Sequence, residues 1–332
     1  MTYFTVKDDS MHDSSISLIR LISLILIVLC HVFQYYNFFL AWWFNVGVQI
    51  FLTISGYLFG QKKIISIKDF YRKRLKKILL PFYLVLIPII VVNLLFKKIT
   101  IVAAIESLMM KSTFPGTGHL WFVPTILLCY VITPILSSYF DDIEKNRIII
   151  VTIVSIILAC IICFGFTDTF NGAWIGCYII GYALGVIEKN KLFSNNKLLV
   201  IFGLLSSMNL LQIYIENVEL VHFSGKLETF FNIFSFYNHV WLGVFLFLGL
   251  KSIFDRIPIS KWLICLLSLS DSYSYEIFLV HLFFILGPFS LMSLTRFVAL
   301  NYFIVLFSIM IFTYLLKLAE NTIMKYFHVG AT

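Results

Sequence analysis

The stretch SLIRLISLILIVLCHVFQYY, Ser17–Tyr36, is long and apolar enough to cross a lipid bilayer as a helix, yet it contains Arg20 and His31. Eleven residues of α-helix turn through about 1100°, so the two side chains project within about 20° of each other and about 16 Å apart along the axis. Ionisable groups inside a membrane are costly and normally face a polar cavity or a partner. We therefore expect this face of the helix to line a site.

Two plainer interpretations stand beside this one. The Arg20 side chain can snorkel to lipid headgroups, and His31 can make a hydrogen bond that only packs two helices together. The shared face favours a site instead. An arginine fork binds phosphate strongly, and histidine is the commonest general base near neutral pH. An acyl-coenzyme A suits this pair, because its phosphates can remain at the cytoplasmic face while its thioester reaches deeper on a thin arm.

The composition places the whole chain in the membrane. Of the 332 residues, 60% are hydrophobic and only 13% are charged, and the mean hydropathy is +0.95. Lipid offers no partners for backbone polar groups, so each span is expected to be helical. We predict an all-α bundle of about ten transmembrane helices that forms a single domain over residues 1–332 without an appended soluble domain. The predicted spans are roughly 16–38, 41–60, 79–96, 119–139, 148–166, 171–187, 197–215, 228–250, 268–290 and 297–317.

The distribution of lysine and arginine predicts the orientation. The stretch Gln61–Lys77, expected to be a loop, carries eight basic residues, which places it in the cytoplasm. With an even number of spans, the N- and C-termini are then also cytoplasmic. Orientation and attraction to anionic lipid account for most of these charges, so the net charge of +8 implies no nucleic-acid partner. We expect a multi-pass protein of the cell membrane.

Small residues and cysteines suggest packing rather than chemistry. Three G-x-x-x-G pairs predict close helix contacts, and they are Gly56 with Gly60, Gly172 with Gly176, and Gly181 with Gly185. Cys160 and Cys163 form a single C-x-x-C in an apolar run. A zinc site of this kind needs a second pair, so we predict no metal site.

Five segments, in order along the chain, resemble acyltransferase family 3, the multi-span membrane acyltransferases. Arg20 and His31 match the family's R-x10-H, and VQIFLTISGYLFG matches its F-x-x-S-G-F segment through Ser55. The run FYRKRLKKILLPFY is similar to the basic segment that leads into a proline. GHLWF and SYSYEIFLVHLFF resemble the H-L-W-F-L and S-Y-x-I-Y-L-x-H segments. Lys77 departs from the pattern, because the family often has arginine there, and lysine keeps the charge but loses the bidentate geometry.

The resemblance implies transfer of an acyl group, usually acetyl, from acetyl-coenzyme A to a hydroxyl of an extracytoplasmic polysaccharide or cell-wall glycan. Acyl-coenzyme A is then a donor substrate and not a permanently bound cofactor, and the partners are the glycan or lipid-linked glycan acceptor and membrane lipids. Some relatives continue into a secreted esterase-like domain, and we expect no such domain here. Residues implied in catalysis are Arg20, His31, His119 and Glu276; in donor binding Arg20, Arg72, Arg74 and Lys77; and in the cavity or acceptor site Ser55, Trp121, Tyr275 and His281.

Several of these assignments have alternatives in which the residue has only a structural role. His119 and Trp121 can form an interfacial anchor, and Glu276 and His281 can make hydrogen bonds that only stabilise packing. Glu276 and His281 are five residues apart, so they point to different faces and should have different partners. Glu276 is expected to pair with an arginine or to orient a histidine. His31 is expected either to act as general base or to carry a transient acyl group.

A different class of function also suits intramembrane charges. A transporter or flippase for a lipid-linked sugar or an acyl group can line its path with such residues. The two functions differ in one measurable property, because only the acyltransferase consumes acyl-coenzyme A. A noncatalytic scaffold does not explain why Arg20 and His31 share a face.

Overall fold

The computed structural model describes residues 14–111, 114, 116–140, 143–164, 172–217 and 224–329, and this part of the chain contains helices without any β-strand. Cys163 of the C-x-x-C lies outside the described side chains, as do the first 13 residues. The α-helices are α1 Ser14–Tyr35, α2 Leu40–Phe44, α3 Val46–Gly60, α4 Ile67–Leu95, α5 Ile101–Leu108, α6 Phe122–Phe140, α7 Lys145–Phe164, α8 Gly172–Lys189, α9 Asn195–Ser206, α10 Met208–Asn217, α11 Lys226–Phe254, α12 Lys261–Ile285 and α13 Val298–Val329. A short 3-10 helix, Gly118–Trp121, precedes α6.

Seven helical segments in the described part of the chain are long and apolar enough to cross a membrane. They are Ser14–Tyr35, Ile67–Leu95, Gly118–Phe140, Asn195–Glu216, Lys226–Phe254, Lys261–Ile285 and Val298–Tyr326. The predicted all-helical membrane architecture is therefore confirmed. The remaining three predicted spans coincide with α3, α7 and α8, which fall short of the same criterion over their described residues. The count of ten and the cytoplasmic termini stay predictions.

Many large apolar side chains lie on the outer surface of the bundle, as expected of a protein surrounded by lipid. Large apolar side chains point outward, with Leu204 69% and Met310 68% exposed. Polar side chains are buried instead, among them Gln49, Thr53 and Thr133. Buried hydroxyls find partners within the helices, since the Thr53 hydroxyl donates to the Gln49 carbonyl one turn earlier at 2.8 Å. The interior thus contains polar side chains within a largely apolar core, and a site for polar chemistry can lie there.

Helix α1 lies at the centre and packs against α3, α11 and α12. Ser23, Leu24 and Ile27, which lie between Arg20 and His31 on the helix, are buried. The face that carries the arginine and the histidine therefore points into the bundle, as the eleven-residue spacing predicts.

Helix α4 corrects the prediction of a basic loop between the second and third spans. The helix begins at Ile67, twelve residues before residue 79, where we expected the third span to begin. Ser66 caps it by accepting from the Asp69 amide at 3.3 Å, and Asp69 places negative charge in the first turn. Most of the basic residues therefore lie on a rigid helix, and their positions follow helical spacing.

Helices α3 and α8 meet backbone to backbone through two of the predicted G-x-x-x-G pairs. A Cβ built at Gly56 would lie 2.0 Å from the Tyr178 carbonyl oxygen, and one built at Gly181 would lie 2.2 Å from that of Thr53. The Gly172–Gly176 pair is different, because Gly172 approaches Cys160 of α7 whereas Gly176 has only a contact at 3.9 Å. Two of the three glycine motifs thus build the contact between α3 and α8.

Substitution of Gly181 tests this contact. Gly181→Ala places a methyl group against a backbone carbonyl that cannot rotate away, so we expect a loss of about 1–3 kcal/mol and a lower melting temperature in detergent. The matched control on the same helix is Gly176→Ala, whose new methyl group has ordinary van der Waals space. Equal melting temperatures for the two variants would contradict the close packing.

Candidate functional site

Arg20 makes an ion pair with an aspartate that the sequence analysis did not single out. Its Nη1 lies 2.7 Å from Oδ1 of Asp271 on α12. The hydroxyl of Ser17, one turn earlier on α1, donates to Asp271 Oδ2 at 2.5 Å. Both charged side chains are largely buried, with 21% and 16% exposed. Arg20 is therefore held in place by the protein and does not snorkel to headgroups.

The same guanidinium lines a cavity of about 250 Å³ at this end of the bundle. The cavity lies between α1, α3, α4, α6 and α12, because side chains from all five helices line it. Six of the eleven predicted site residues contribute to its wall, namely Arg20, Ser55, Arg74, Lys77, Tyr275 and Glu276. Phe122 of the GHLWF segment lines it as well, so the structure brings together residues from all five sequence segments.

The cavity carries unneutralised positive charge. Lys62, Arg74 and Lys77 line it, and none of them has an ion pair with any acidic side chain in the described ranges. The Arg74 guanidinium carbon lies 4.7 Å from the centre of the Phe59 ring, and its buried Nε has no hydrogen-bond partner. Buried donors without partners are rare in folded proteins. An anion, and in particular a phosphate, would satisfy them.

Arg72 does not belong to this wall. Two residues of helix turn through about 200°, so Arg72 and Arg74 project from opposite sides of α4, and Arg72 is exposed. Lys77 follows Arg74 by about 300° and returns to nearly the same face. The prediction that Arg72 and Arg74 act together assumed an irregular loop, and the helical structure of this segment separates them.

Glu276 has a lysine as its partner, rather than the expected arginine or histidine. Its Oε1 lies 2.7 Å from Lys317 Nζ of α13, and Lys317 also contacts Glu320 Oε2 at 2.8 Å. The Glu276 side chain is only 4% exposed. On the same helix, the Tyr275 hydroxyl donates to the Ile78 carbonyl at 3.1 Å, which fixes α12 against α4. The charge of Glu276 is compensated within the protein.

Lys317→Met tests the cost of that compensation. The variant leaves two carboxylates without their cation, and breaking a buried ion pair costs about 3–5 kcal/mol, so we expect a clear drop in melting temperature in detergent. The triple variant Lys317→Met, Glu276→Gln, Glu320→Gln removes all three charges and should recover most of the loss. Lys111→Met is the control, because it breaks an exposed pair with Glu106. A Lys317→Met protein as stable as this control would contradict the assignment.

Three histidines meet at the other end of α1. The ring centroids of His31 and His281 are 5.2 Å apart, and those of His119 and His281 are 5.5 Å apart. His119 is on the 3-10 helix before α6 and is 3% exposed, while His281 on α12 is fully buried. His31 and His119 therefore both lie against His281. Across the described residues, no group of three His, Cys, Asp or Glu side chains is arranged to hold a metal ion.

Hydrogen bonds fix which ring nitrogen carries the proton in each imidazole. His281 Nδ1 lies 2.7 Å from the Phe278 carbonyl, and His119 Nε2 lies 2.9 Å from the Leu279 carbonyl. A carbonyl only accepts, so these nitrogens donate. The other nitrogens, His281 Nε2 and His119 Nδ1, are buried without a partner in the described structure. His31 Nδ1 is 3.0 Å from Gln34 Oε1. The cluster therefore presents unprotonated ring nitrogens that can accept hydrogen bonds from hydroxyl groups.

Two parallel helices connect the Arg20–Asp271 ion pair with the histidine cluster. Arg20 faces Asp271, and His31, eleven residues later on α1, faces His281, ten residues later on α12. The sequence therefore contains a second spacing, D-x9-H, that mirrors R-x10-H. This signal was available for finding Asp271. No comparable sequence spacing indicated Lys317 or Lys62, because only the folding of the chain brings each of them to the site.

The remaining predicted residues lie beside these two clusters. The Trp121 ring stacks on that of Trp174 with centroids 3.6 Å apart, so it packs α6 against α8 and is not an isolated interfacial anchor. The Ser55 hydroxyl lines the cavity but donates to the Phe51 carbonyl at 3.0 Å. Both residues shape the site without presenting a reactive group.

A family comparison places this chain among known proteins. The model of the acyltransferase domain of acyltransferase family 3 matches residues 13–318, nearly the whole chain. The chain belongs to acyltransferase family 3. No curated protein and no solved structure matches it. Family membership makes the chain a membrane acyltransferase, and the resemblance inferred from five sequence segments is confirmed.

Proposed function

We propose that this acyltransferase moves an acetyl group from cytoplasmic acetyl-coenzyme A to a hydroxyl of an extracytoplasmic polysaccharide or cell-wall glycan. The proposal includes ten spans with both termini in the cytoplasm, and a location in a bacterial plasma membrane. The observation that carries it is the pairing of a basic cavity with a histidine cluster along one face of α1. The phosphates of the donor would occupy the first, and the acceptor hydroxyl would approach the second.

The assignment of the cavity as the donor site is based on its positive charge. Arg74, Lys77 and Lys62 add three positive charges to a cavity in which Asp271 is already paired with Arg20 and Glu276 with Lys317. Charge-assisted hydrogen bonds to phosphate are stronger than neutral ones. Such a wall favours a ligand with several phosphate groups over a neutral sugar, which is the reason for preferring acyl-coenzyme A to a transported glycan.

The acceptor end rests on the free imidazole nitrogens. In the reaction, the C–S bond of the thioester breaks, a C–O bond to the acceptor forms, and the hydroxyl proton is taken by an imidazole and passed to the departing thiolate. His31 takes that proton directly, or first accepts the acyl group and then yields it to the hydroxyl. His119 Nδ1 and His281 Nε2 would accept hydrogen bonds from other hydroxyl groups of the acceptor sugar.

The test uses inverted membrane vesicles from the source cells, which expose the cytoplasmic face and contain the native acceptor. With acetyl-coenzyme A labelled in the acetyl group, we expect protein-dependent release of coenzyme A and label in the glycan fraction. Proton NMR of the glycan then identifies the acetylated hydroxyl. Movement of a lipid-linked glycan across the membrane without coenzyme A release would instead support the transporter.

Arg74 and Arg72 provide a matched pair for the donor site. Arg74→Ala removes a charged donor from the cavity, which is worth about 1.5–3 kcal/mol, and should raise the KM for acetyl-coenzyme A about 10- to 100-fold. Arg72→Ala removes the same side chain two residues away, on the exposed side of α4. Its KM should stay close to that of the wild type. Equal effects of the two substitutions would indicate that the segment acts only through its net charge.

A further inference from the structure

The cavity and the histidine cluster are separated by aromatic side chains. The wall of the cavity includes Arg20, but none of the three histidines belongs to its described lining. Its apolar end contains Phe122, the first residue of α6, which is 3% exposed. A donor bound by the basic residues would meet this ring before any imidazole.

Phe278 of α12 fills the space beyond Phe122. The two ring centroids are 4.8 Å apart. Phe278 also contacts both buried histidines, with centroid distances of 5.8 Å to His119 and 5.7 Å to His281. Its carbonyl accepts the hydrogen bond that fixes the His281 ring. One phenylalanine pair therefore links the wall of the cavity to the two buried imidazoles.

We propose that Phe122 and Phe278 form an aromatic barrier that the acyl end of the donor displaces on its way to the histidines. This inference rests on the proposed function, because it concerns the path of the same thioester. Phenylalanine rings are large and lack polar atoms, so the closed pair excludes water. The barrier keeps cytoplasmic water away from the imidazoles until a thioester has entered, and thereby couples cleavage of the donor to transfer.

Without the barrier, water can replace the acceptor. The water oxygen attacks the thioester carbonyl, the C–S bond breaks, and acetate and coenzyme A leave while an imidazole carries the proton to the thiolate. Phe278→Ala should therefore increase the fraction of labelled acetyl recovered as free acetate, relative to that in glycan. A barrier worth only about 1.4 kcal/mol gives about a tenfold rise in this ratio.

The ratio is measured in inverted vesicles with acetyl-labelled acetyl-coenzyme A, so a lower amount of folded protein does not alter it. Phe278→Leu keeps an apolar side chain of similar reach and should stay near the wild-type ratio, and Phe278→Val serves if the alanine variant does not fold. Phe247→Ala is the matched control, because Phe247 is as deeply buried but packs on Tyr57, outside the cavity wall.

The outcomes separate the two proposals. A wild-type protein that transfers acetyl, together with a Phe278→Ala ratio equal to that of the Phe247→Ala control, overturns the barrier and leaves the proposed function intact. A wild-type protein that releases no coenzyme A overturns the proposed function and the barrier with it. A rise in free acetate for Phe278→Ala alone supports the barrier.

Discussion

Replacement of His31 by alanine is expected to abolish acyl transfer while the protein still inserts and folds. A positioned general base contributes about 10²- to 10⁴-fold to a rate, and loss of an acyl-carrying nucleophile costs at least as much, so both mechanisms predict a drop of about 100-fold or more. His31 is half-buried, and its side-chain hydrogen bond is to Gln34 on its own helix. The measurement is label transfer from acetyl-coenzyme A to glycan, normalised to folded protein.

The control for His31→Ala is a second buried imidazole. His239 is 1% exposed and its Nε2 donates to the Trp42 carbonyl at 3.1 Å, but it stacks on Trp43, away from the histidine cluster. His239→Gln should lower stability and leave transfer per folded molecule close to that of the wild type. A His31→Ala protein that acetylates as well as this control would show that His31 is only a packing residue.

Replacement of Arg20 by alanine is expected to reduce kcat/KM for acetyl-coenzyme A about 100-fold. The guanidinium supplies charge-assisted hydrogen bonds to the donor, each worth about 1.5–3 kcal/mol, and its loss also exposes the cavity to the negative charge of Asp271. Both effects weaken the binding of a phosphate. Steady-state kinetics with detergent-purified protein measure the change.

A double variant separates the two effects of Arg20. If the arginine only neutralises Asp271, then Arg20→Ala combined with Asp271→Ala removes charge and partner together and should restore activity. If the arginine binds the donor, the double variant should remain as impaired as Arg20→Ala. We expect the second result, because Lys62, Arg74 and Lys77 form the rest of a phosphate site around the same cavity. Recovery in the double variant would contradict donor binding by Arg20.

The features that followed from sequence were those set by helical geometry within one segment. The spacing of Arg20 and His31 predicted the inward face of α1, and the same rule predicted different partners for Glu276 and His281. Glycine spacing predicted close helix contacts, and the structure places two of the three glycine pairs between α3 and α8. In each case the period of the α-helix and the composition of the segment are sufficient, because the information is local.

The errors arose where a segment had two acceptable structures. Charge in Gln61–Lys77 indicated a loop outside the membrane, but lysine and arginine are also good helix formers. The Ser66 cap stabilises the start of helix α4. The helical spacing of this segment then places Arg74 in the cavity wall and Arg72 outside it. A pattern of charge alone cannot distinguish the two structures.

The partners across the bundle were not predictable, because they depend on which helices become neighbours. Lys317 meets Glu276 only because α13 packs against α12, and these residues are 41 positions apart. Phe122 and Phe278 are even further apart, by 156 positions, and a phenylalanine in an apolar run carries no distinguishing signal. Chemistry shared between helices is therefore visible only in the folded structure.

The glycine contact between α3 and α8 also limits how the enzyme can move during a catalytic cycle. The backbones of these two helices touch along two turns, so the helices cannot slide past each other. They therefore move as one rigid unit. An opening that admits an acyl chain would then require movement of α12, which carries Phe278, relative to α6, which carries Phe122. Cross-linking α3 to α8 should be harmless to turnover, whereas tethering α6 to α12 should stop it.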